Sequence, residues 1–552
     1  MRSTSAGVSS RSFLREGTRF FSLVVIAALA SSCFTRGPRI DSIDPRIGTM
    51  GEVLRIEGSG FGGDRGQSRV TIAGIAPTSS SYIEWSPTRI SVRIPDFGES
   101  GLVYVHTDNG KSNAALFTNR ESLPLPVSSA NEGINPRIDS LENASGGIGS
   151  SVAILGRNFG SSRENGAVLF AWAAEEPPAA PASAQIPKTV EVSELEYGYE
   201  FWSDREIRVR VPDGAVSGNL IIRTVRGDSN PVFFQIDGMP GGKSFKERRS
   251  YVVNYSVDIK VARVSGPNAL YLWVPRPATG SAQKEAKLLS RSLEPFVEGR
   301  TGASLYQFKD LAEDGSILLS SSYLVDVYAT SAQMKPQAIK KAVESPVRNA
   351  YTLSTPLIPA DDKEIVKLAD RLAGKENNPW IVARKYYDWM RTELDFSVSP
   401  SSGGAMEALT SGKADAYSSA LLFCALARAS GIPAVPSAGF LVDRTRASER
   451  HFWSEFWIDG FGWVPVDIAL GARWTPAGFS VRADAGDFYF GNLDNQHVAF
   501  SRGAAELSPM DPRGRTAIRE RGYSFQNLWE EATGGLDSYS SLWSDLTVTG
   551  VY

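Results

Sequence analysis

Two stretches of this chain repeat one another, and that repeat limits the architectures open to its first half. "PRIDSIDPRIGTMGEVLRIEGSGFG" begins at Pro38 and "PRIDSLENASGGIGSSVAILGRNFG" at Pro136, so Pro38 and Pro136, like Phe61 and Phe159, stand 98 residues apart without a gap. Further on, "WSPTRISVRIPDFGESG" (85–101) matches "WSDREIRVRVPDGAVSG" (202–218). The second copy carries an insertion near "AAEEPPAAPASAQIP", whose Pro and Ala content reads as an exposed loop. Each copy alternates polar and apolar residues, as in Arg89-Ile90-Ser91-Val92-Arg93-Ile94, the period of a strand with one buried face. Short strands punctuated by Gly, Asn and Asp are expected to form a β-sandwich in each copy.

The "GSGFG" and "GRNFG" turns, each followed by Trp-Ser and a strand ending in "IP" or "VP", resemble IPT/TIG immunoglobulin-like domains over residues 38–119 and 136–236. Such domains act as spacers or adhesive modules, so the resemblance implies presentation rather than chemistry. After the linker Gly238-Met-Pro-Gly-Gly242, "SYVVNYSVDIKVARV" and "ALYLWVPRPATG" mark a β-rich domain over 245–345, similar to the one that precedes bacterial transglutaminase-like cores. Helical signals follow. Asn378 before Pro379 places an N-cap ahead of a proline at the first helical position. "WIVARKYYDWMRTEL" then puts Trp380, Ala383, Tyr387 and Met390 on one core-facing side.

"GKADAYSSALLFCALARASGIPA" (412–434) resembles the nucleophile helix of transglutaminase-like, papain-like proteins. Aligning Ala420, Leu421, Leu422, Phe423, Arg428 and Gly431 with that pattern puts the family's cysteine at Ala416. "RHFWSEFWIDGFGWVPVDIALG" resembles the family's histidine hairpin, with Asp459-Gly460 as its turn. By that resemblance His451 is the general base and Asp467 its orienter, and a short hairpin brings the two close. His497, in "FYFGNLDNQHVAFSRG", reads as packing or hydrogen bonding rather than chemistry.

No substitute nucleophile is convincing. Cys424 lies eight places on, roughly 12 Å deeper along a helix, among apolar neighbours that make a thiol inert. Ser418 and Ser419 point roughly 200° and 300° away from position 416. Asp415 is either a usable carboxylate beside His451 or the helix N-cap. Loss of the nucleophile leaves about 10³-fold catalysis over water in such units, which argues against thiol acyl transfer. It leaves room for a pocket: His451, Asp467, Trp453, Trp457 and Trp463 could line a groove for an extended peptide, or the His–Asp pair could be vestigial and only hold the hairpin.

At the N-terminus, Arg2, Arg11, Arg15 and Arg19 precede the apolar run "FFSLVVIAALA" (20–30) and Ser31-Ser32-Cys33. The run is about half the roughly 20 residues that span a bilayer, so residues 1–33 read as a signal peptide. Small residues leading into Cys33 resemble a bacterial lipobox with Ala30 where the family prefers Leu, and lipidation of Cys33 is favoured over an ordinary cleaved signal. Phe34, rather than Asp, after Cys33 then points to the outer membrane, on its periplasmic or surface face.

The chain of 552 residues exceeds the ~250–300 at which one core stops growing. The expected fold is therefore multidomain: two all-β immunoglobulin-like sandwiches, a β-rich domain, and an α+β papain-like transglutaminase core over 355–505, with a C-terminal tail over 506–552. That tail, "NLWEEATGGLDSYSSLWSDLTVTGVY", either docks a partner through its spaced aromatics or packs back onto the core. With 58 basic and 61 acidic residues and no basic run, nothing points to nucleic acid. Three histidines and two cysteines exclude a structural zinc site of ordinary composition, and no metal or cofactor is expected. The leading expectation is a lipid-anchored envelope protein that binds peptide, protein or cell-wall ligand without catalysis. The alternatives are a thiol-independent hydrolase or transferase using His451 and Asp467, and a purely structural assembly protein.

Overall fold

The computed structural model describes residues 37–95, 100–120, 135–175, 189–299, 302–340, 342–396, 403–480 and 482–552; Cys33 and the rest of the 1–33 segment lie outside them, as does the second repeat's insertion from 176 on. The chain is multidomain and strongly β-rich, with its few helices gathered near the C-terminal core.

The repeat at 98 residues produces two sandwiches with the same strand order. In the first, Arg39–Asp44, Val53–Ser59, Arg89–Arg93 and Tyr82–Trp85 form one sheet; Ile47–Gly48, Ala115–Asn119, Gly101–Thr107 and Arg69–Ile72 form the other. The second repeats this with Arg137–Leu141, Ser151–Arg157, Glu206–Arg210 and Tyr199–Trp202 opposite Ser145–Gly146, Val232–Ile236, Gly218–Thr224, Ala167–Ala171 and Thr189–Glu191. The fixing devices repeat too. Trp85 and Trp202 each donate an indole N–H to a turn carbonyl, of Phe61 and Phe159, at 3.1 Å. Asn113 and Asn230 each bridge the backbone of an isoleucine, Ile40 and Ile138, whose strand bulges at the next step.

Gly58 and Gly156 lie where strands touch: an added Cβ would stand 2.0 Å from the Arg39 carbonyl oxygen and 2.1 Å from that of Arg137. Gly156→Ala is therefore expected to cost about 3 kcal/mol, while Gly63→Ala, with nothing within 4 Å of its Cβ, changes little. Urea unfolding of both variants checks this, and equal midpoints would refute it.

The sandwiches are packed against the rest of the molecule rather than held out as spacers. Ile148, Val152, Trp172 and Phe234 of the second share a core with Phe245, Tyr328, Val347, Val435, Trp457 and Trp463. Asp213 pairs with Lys243, both side chains 3% exposed; Ser281 donates to the same carboxylate at 2.6 Å, and Lys243 Nζ donates to the Trp463 carbonyl at 2.6 Å. The first module reaches the second where Tyr197 donates to the Ser80 carbonyl at 2.8 Å. Removing one member of a buried ion pair leaves an uncompensated charge, so this junction resists separation.

The β-rich part is organised by one 35-residue strand, Gly241–Pro275. On one side it pairs with Ser316–Met334; on the other, Glu530–Trp543 and Thr547–Val551 add to it antiparallel. Of the two readings of the C-terminal segment, packing back is the one observed. An open edge of this length presents rows of unpaired backbone groups, and Trp529 and Trp543 seal the join with ring centroids 4.9 Å apart.

In the α+β core, the antiparallel sheet Gly462–Val466, Ser448–Ile458, Ala434–Val442 and His497–Arg502 packs against the helix Ala416–Ala429, with Lys363–Ala373, Pro379–Glu393 and Ala405–Ser411 around it. Asn378 caps its helix by accepting from the Trp380 and Ile381 amides, with Pro379 in the first turn. The 416–429 helix is buried from Ser418 to Arg428, which its mostly small and apolar sequence permits; Arg428, its one charged residue, donates to the Ala434 and Leu353 carbonyls.

Candidate functional site

The hairpin Ser448–Ile458 to Gly462–Val466 closes on Asp459-Gly460, and Gly460 adopts φ 78° there, a conformation glycine takes without strain. The return strand ends at Asp467, which caps the short helix Ile468–Gly471: its Oδ1 accepts from the Leu470 amide at 2.9 Å. The other oxygen, Oδ2, meets His451 Nε2 at 2.6 Å and His497 Nε2 at 3.0 Å. His497 Nδ1 lies 2.9 Å from Asp494 Oδ1, and Asp494 Oδ2 accepts from the Tyr489 hydroxyl at 2.8 Å.

This row of groups is dry. His451 and Asp467 are 0% exposed and His497 3%. Burial alone would lower the His497 pKa, but the Asp494 and Asp467 carboxylates outweigh it and push it up to about 9. Burial would raise Asp467, and His451 and His497 together hold it well below the usual carboxylate range. Asp494, likewise opposed by burial, is brought down to about 2 by His497. His497 thus carries a proton on each nitrogen and sits as a cation between two carboxylates. Among the described residues, His451, Asp467 and His497 are the one group whose donor atoms, within 4.8 Å of one another, could surround a cation. As the network stands, imidazole protons already bridge each of those nitrogens to an oxygen.

Ala416 is the first residue of its helix, 5% exposed, and lies in an apolar cluster. Asp415 is the N-cap: Oδ1 accepts from the Ser418 amide at 2.8 Å and hydroxyl at 2.7 Å, and its other oxygen is paired with Arg521. Of the two roles open to it in the sequence, capping is the one it fills. Ser418 completes that capping box, and Ser419 donates to the Ala416 carbonyl at 3.2 Å. Cys424 is fully buried and its thiol is pushed up to about 12 by burial.

Three tryptophans expected to line a groove are instead interior. Trp453, Trp457 and Trp463 are only 2–3% exposed. Trp457 and Trp463 pack edge to face at 5.3 Å in the core shared with the second sandwich. Trp453 sets its ring against His497 at 5.1 Å. The alternation of the strand puts these rings on one sheet face, but a neighbouring domain and the 468–493 segment cover that face. Sequence reasoning also missed that His497 shares Asp467, that Tyr489 and Asp494 lie beside it, and that Trp474 lies parallel to His451. The only local signal is the three-residue spacing of Asp494 and His497.

Comparison with known proteins matches two stretches to family models: residues 366–468 to the transglutaminase-like superfamily and 38–119 to the IPT/TIG domain. An uncharacterized protein of Haemophilus influenzae is 32% identical over 183 residues, covering 27% of this chain and 49% of the relative; the chain thus spans about half of that relative's length. A structure described as that of a candidate cysteine protease from Cytophaga hutchinsonii superposes with TM-score 0.37 at 16% identity, over 56% of this chain and 92% of that one. SGBP-B, from a xyloglucan utilization locus in Bacteroides uniformis, superposes with TM-score 0.13 at 13% identity, over 53% and 99%. The chain therefore carries an immunoglobulin-like IPT/TIG domain near its N-terminus and a transglutaminase-like domain near its C-terminus.

Proposed function

We propose that this is a lipid-anchored protein of the cell envelope, tethered to the outer membrane through Cys33, whose transglutaminase-like domain binds peptide, protein or cell-wall material without thiol chemistry. The observation that carries the reading is His451. Its Nε2 is held by Asp467, while Nδ1, buried, has no partner. Ala416, which has no polar side-chain atom, stands where the family's cysteine aligns. A base and its orienter without a nucleophile have nothing to activate, and what remains is a shaped, dry site. His451 and Asp467 are retained, on this reading, as binding and scaffolding groups.

The test uses full-length protein in detergent, wild type beside His451→Ala, incubated with purified cell-wall sacculi and envelope peptides. Wild type is expected to sediment with the sacculi and to release nothing new into the soluble fraction, read by mass spectrometry. Products released by wild type and absent with His451→Ala would replace this reading with a thiol-independent hydrolase. Neither sedimentation nor products, with a stoichiometric protein co-purifying, would make the domain an assembly part.

A further inference from the structure

The rings around His451 hold more unpaired polar atoms than its bond to Asp467 explains. Trp453, two residues along the same strand, lies nearly parallel to the imidazole, with centroids 6.3 Å apart and planes at 19°. Trp474, on the segment after the short helix, lies at 6.4 Å and 10°. The Nε1 atoms of both indoles are buried without a hydrogen-bond partner, as is His451 Nδ1. Ser437 is the register partner of Trp453 on the adjacent strand, hence on the same sheet face, and its buried Oγ also lacks a partner. The other unpaired indole nitrogens among the described residues, those of Trp172, Trp273 and Trp463, have no unpaired imidazole beside them.

Buried donors are costly to leave unmet, and an indole N–H can only donate. Two indoles beside one imidazole and a hydroxyl on the same sheet face therefore call for an acceptor-rich partner. We infer that His451, Trp453, Trp474 and Ser437 form a binding site for a carboxylate. Its two oxygens accept from the indole N–H groups and the serine hydroxyl, beside the unpartnered Nδ1 of His451. The Asp467 charge does not oppose this, because His451 and His497 both face it. Trp474 is the one member with part of its surface outside, so the ligand enters past it. This rests on the reading of the domain as a binding module and names the ligand's class. A peptide C-terminus and a uronic acid share that chemistry.

Calorimetric titration of the full-length protein in detergent decides it. The probes are N-acetyl-alanyl-alanine, the same dipeptide as its C-terminal amide, glucuronate and glucose. At least one carboxylate is expected to bind about tenfold or more tightly than its neutral counterpart, and which one does so identifies the source. Trp453→Phe and Trp474→Phe keep an aromatic ring and remove the indole N–H; each is expected to weaken that carboxylate about tenfold in protein that still folds, with some loss of stability at the buried Trp453. Equal affinity for acid and neutral probe, no binding of either acid, or folded phenylalanine variants that bind like wild type would overturn the site. Protein that fails these titrations yet still sediments with sacculi leaves the binding module standing and removes the carboxylate site alone. Failure of both removes the two together.

Discussion

Cysteine placed at position 416 is expected to be a reactive thiol. Residue 416 opens a 14-residue helix, where unpaired amides and the helix dipole stabilise a thiolate. If the alignment that sets Ala416 at the nucleophile position is right, the new sulfur also meets His451 Nδ1, which now has no partner. The chain supplies its own control, since Cys424 is buried with its thiol pushed up to about 12 and should be inert at neutral pH. Ala416→Cys should react with a small thiol reagent at pH 7 on the order of 10²-fold faster than wild type. His451→Gln in the same background should remove most of that gain. A rate no higher than wild type, or one indifferent to His451→Gln, would separate position 416 from the histidine and defeat the alignment.

The second large effect is on stability. Asp467→Ala should cost about 3–5 kcal/mol. It strips the partner from two buried imidazoles and uncaps the helix Ile468–Gly471. The same network sets a pH dependence with a definite sign. His497 is raised from 6.5 to about 9, so its contribution is whole below pH 6.5 and fades as pH rises to 9. Asp467 is lowered, so its contribution is present above about pH 3.8 and fades in acid below it. Glu196, raised from 4.5 to about 7 by burial and then by the Asp213 charge, loses its contribution between those values; from pH 7 to 9 His497 is the group that loses stability, set against Lys284, lowered to about 8 by burial, which gains it above that value in wild type and variant alike. Urea unfolding at pH 6, 7 and 9 should show wild type weakening across that last interval and Asp467→Ala weakening less. A variant within about 1 kcal/mol of wild type would mean that the network contributes little to folding.

The parts of this protein that could be read in advance are those encoded over short stretches. Gly58 and Gly156, Trp85 and Trp202, and Asn113 and Asn230 occupy matching places because the repeat carries its turn and bulge chemistry along with it. Asn378 and Pro379 start a helix through contacts two and three residues away. Even the meeting of His451 with Asp467 is a local event, since a hairpin with a tight turn joins residues only 16 apart.

What the tertiary structure decided is which faces are covered. The tryptophans of the histidine hairpin alternate as a groove wall would, yet Gly149 of the second sandwich sits against Trp457, and Lys243 reaches the Trp463 carbonyl from 220 residues away. Burial depends on the surface that arrives from elsewhere in the chain, and periodicity along a strand carries no information about that surface. The same reason hid the link between His497 and Asp467, which no spacing announces, and the pairing of the last 23 residues with the strand Gly241–Pro275. Sequence alone determined the modules and the helix caps. Only the fold determined that the site is closed, that a second histidine shares its carboxylate, and that the second sandwich shares a core with the histidine hairpin.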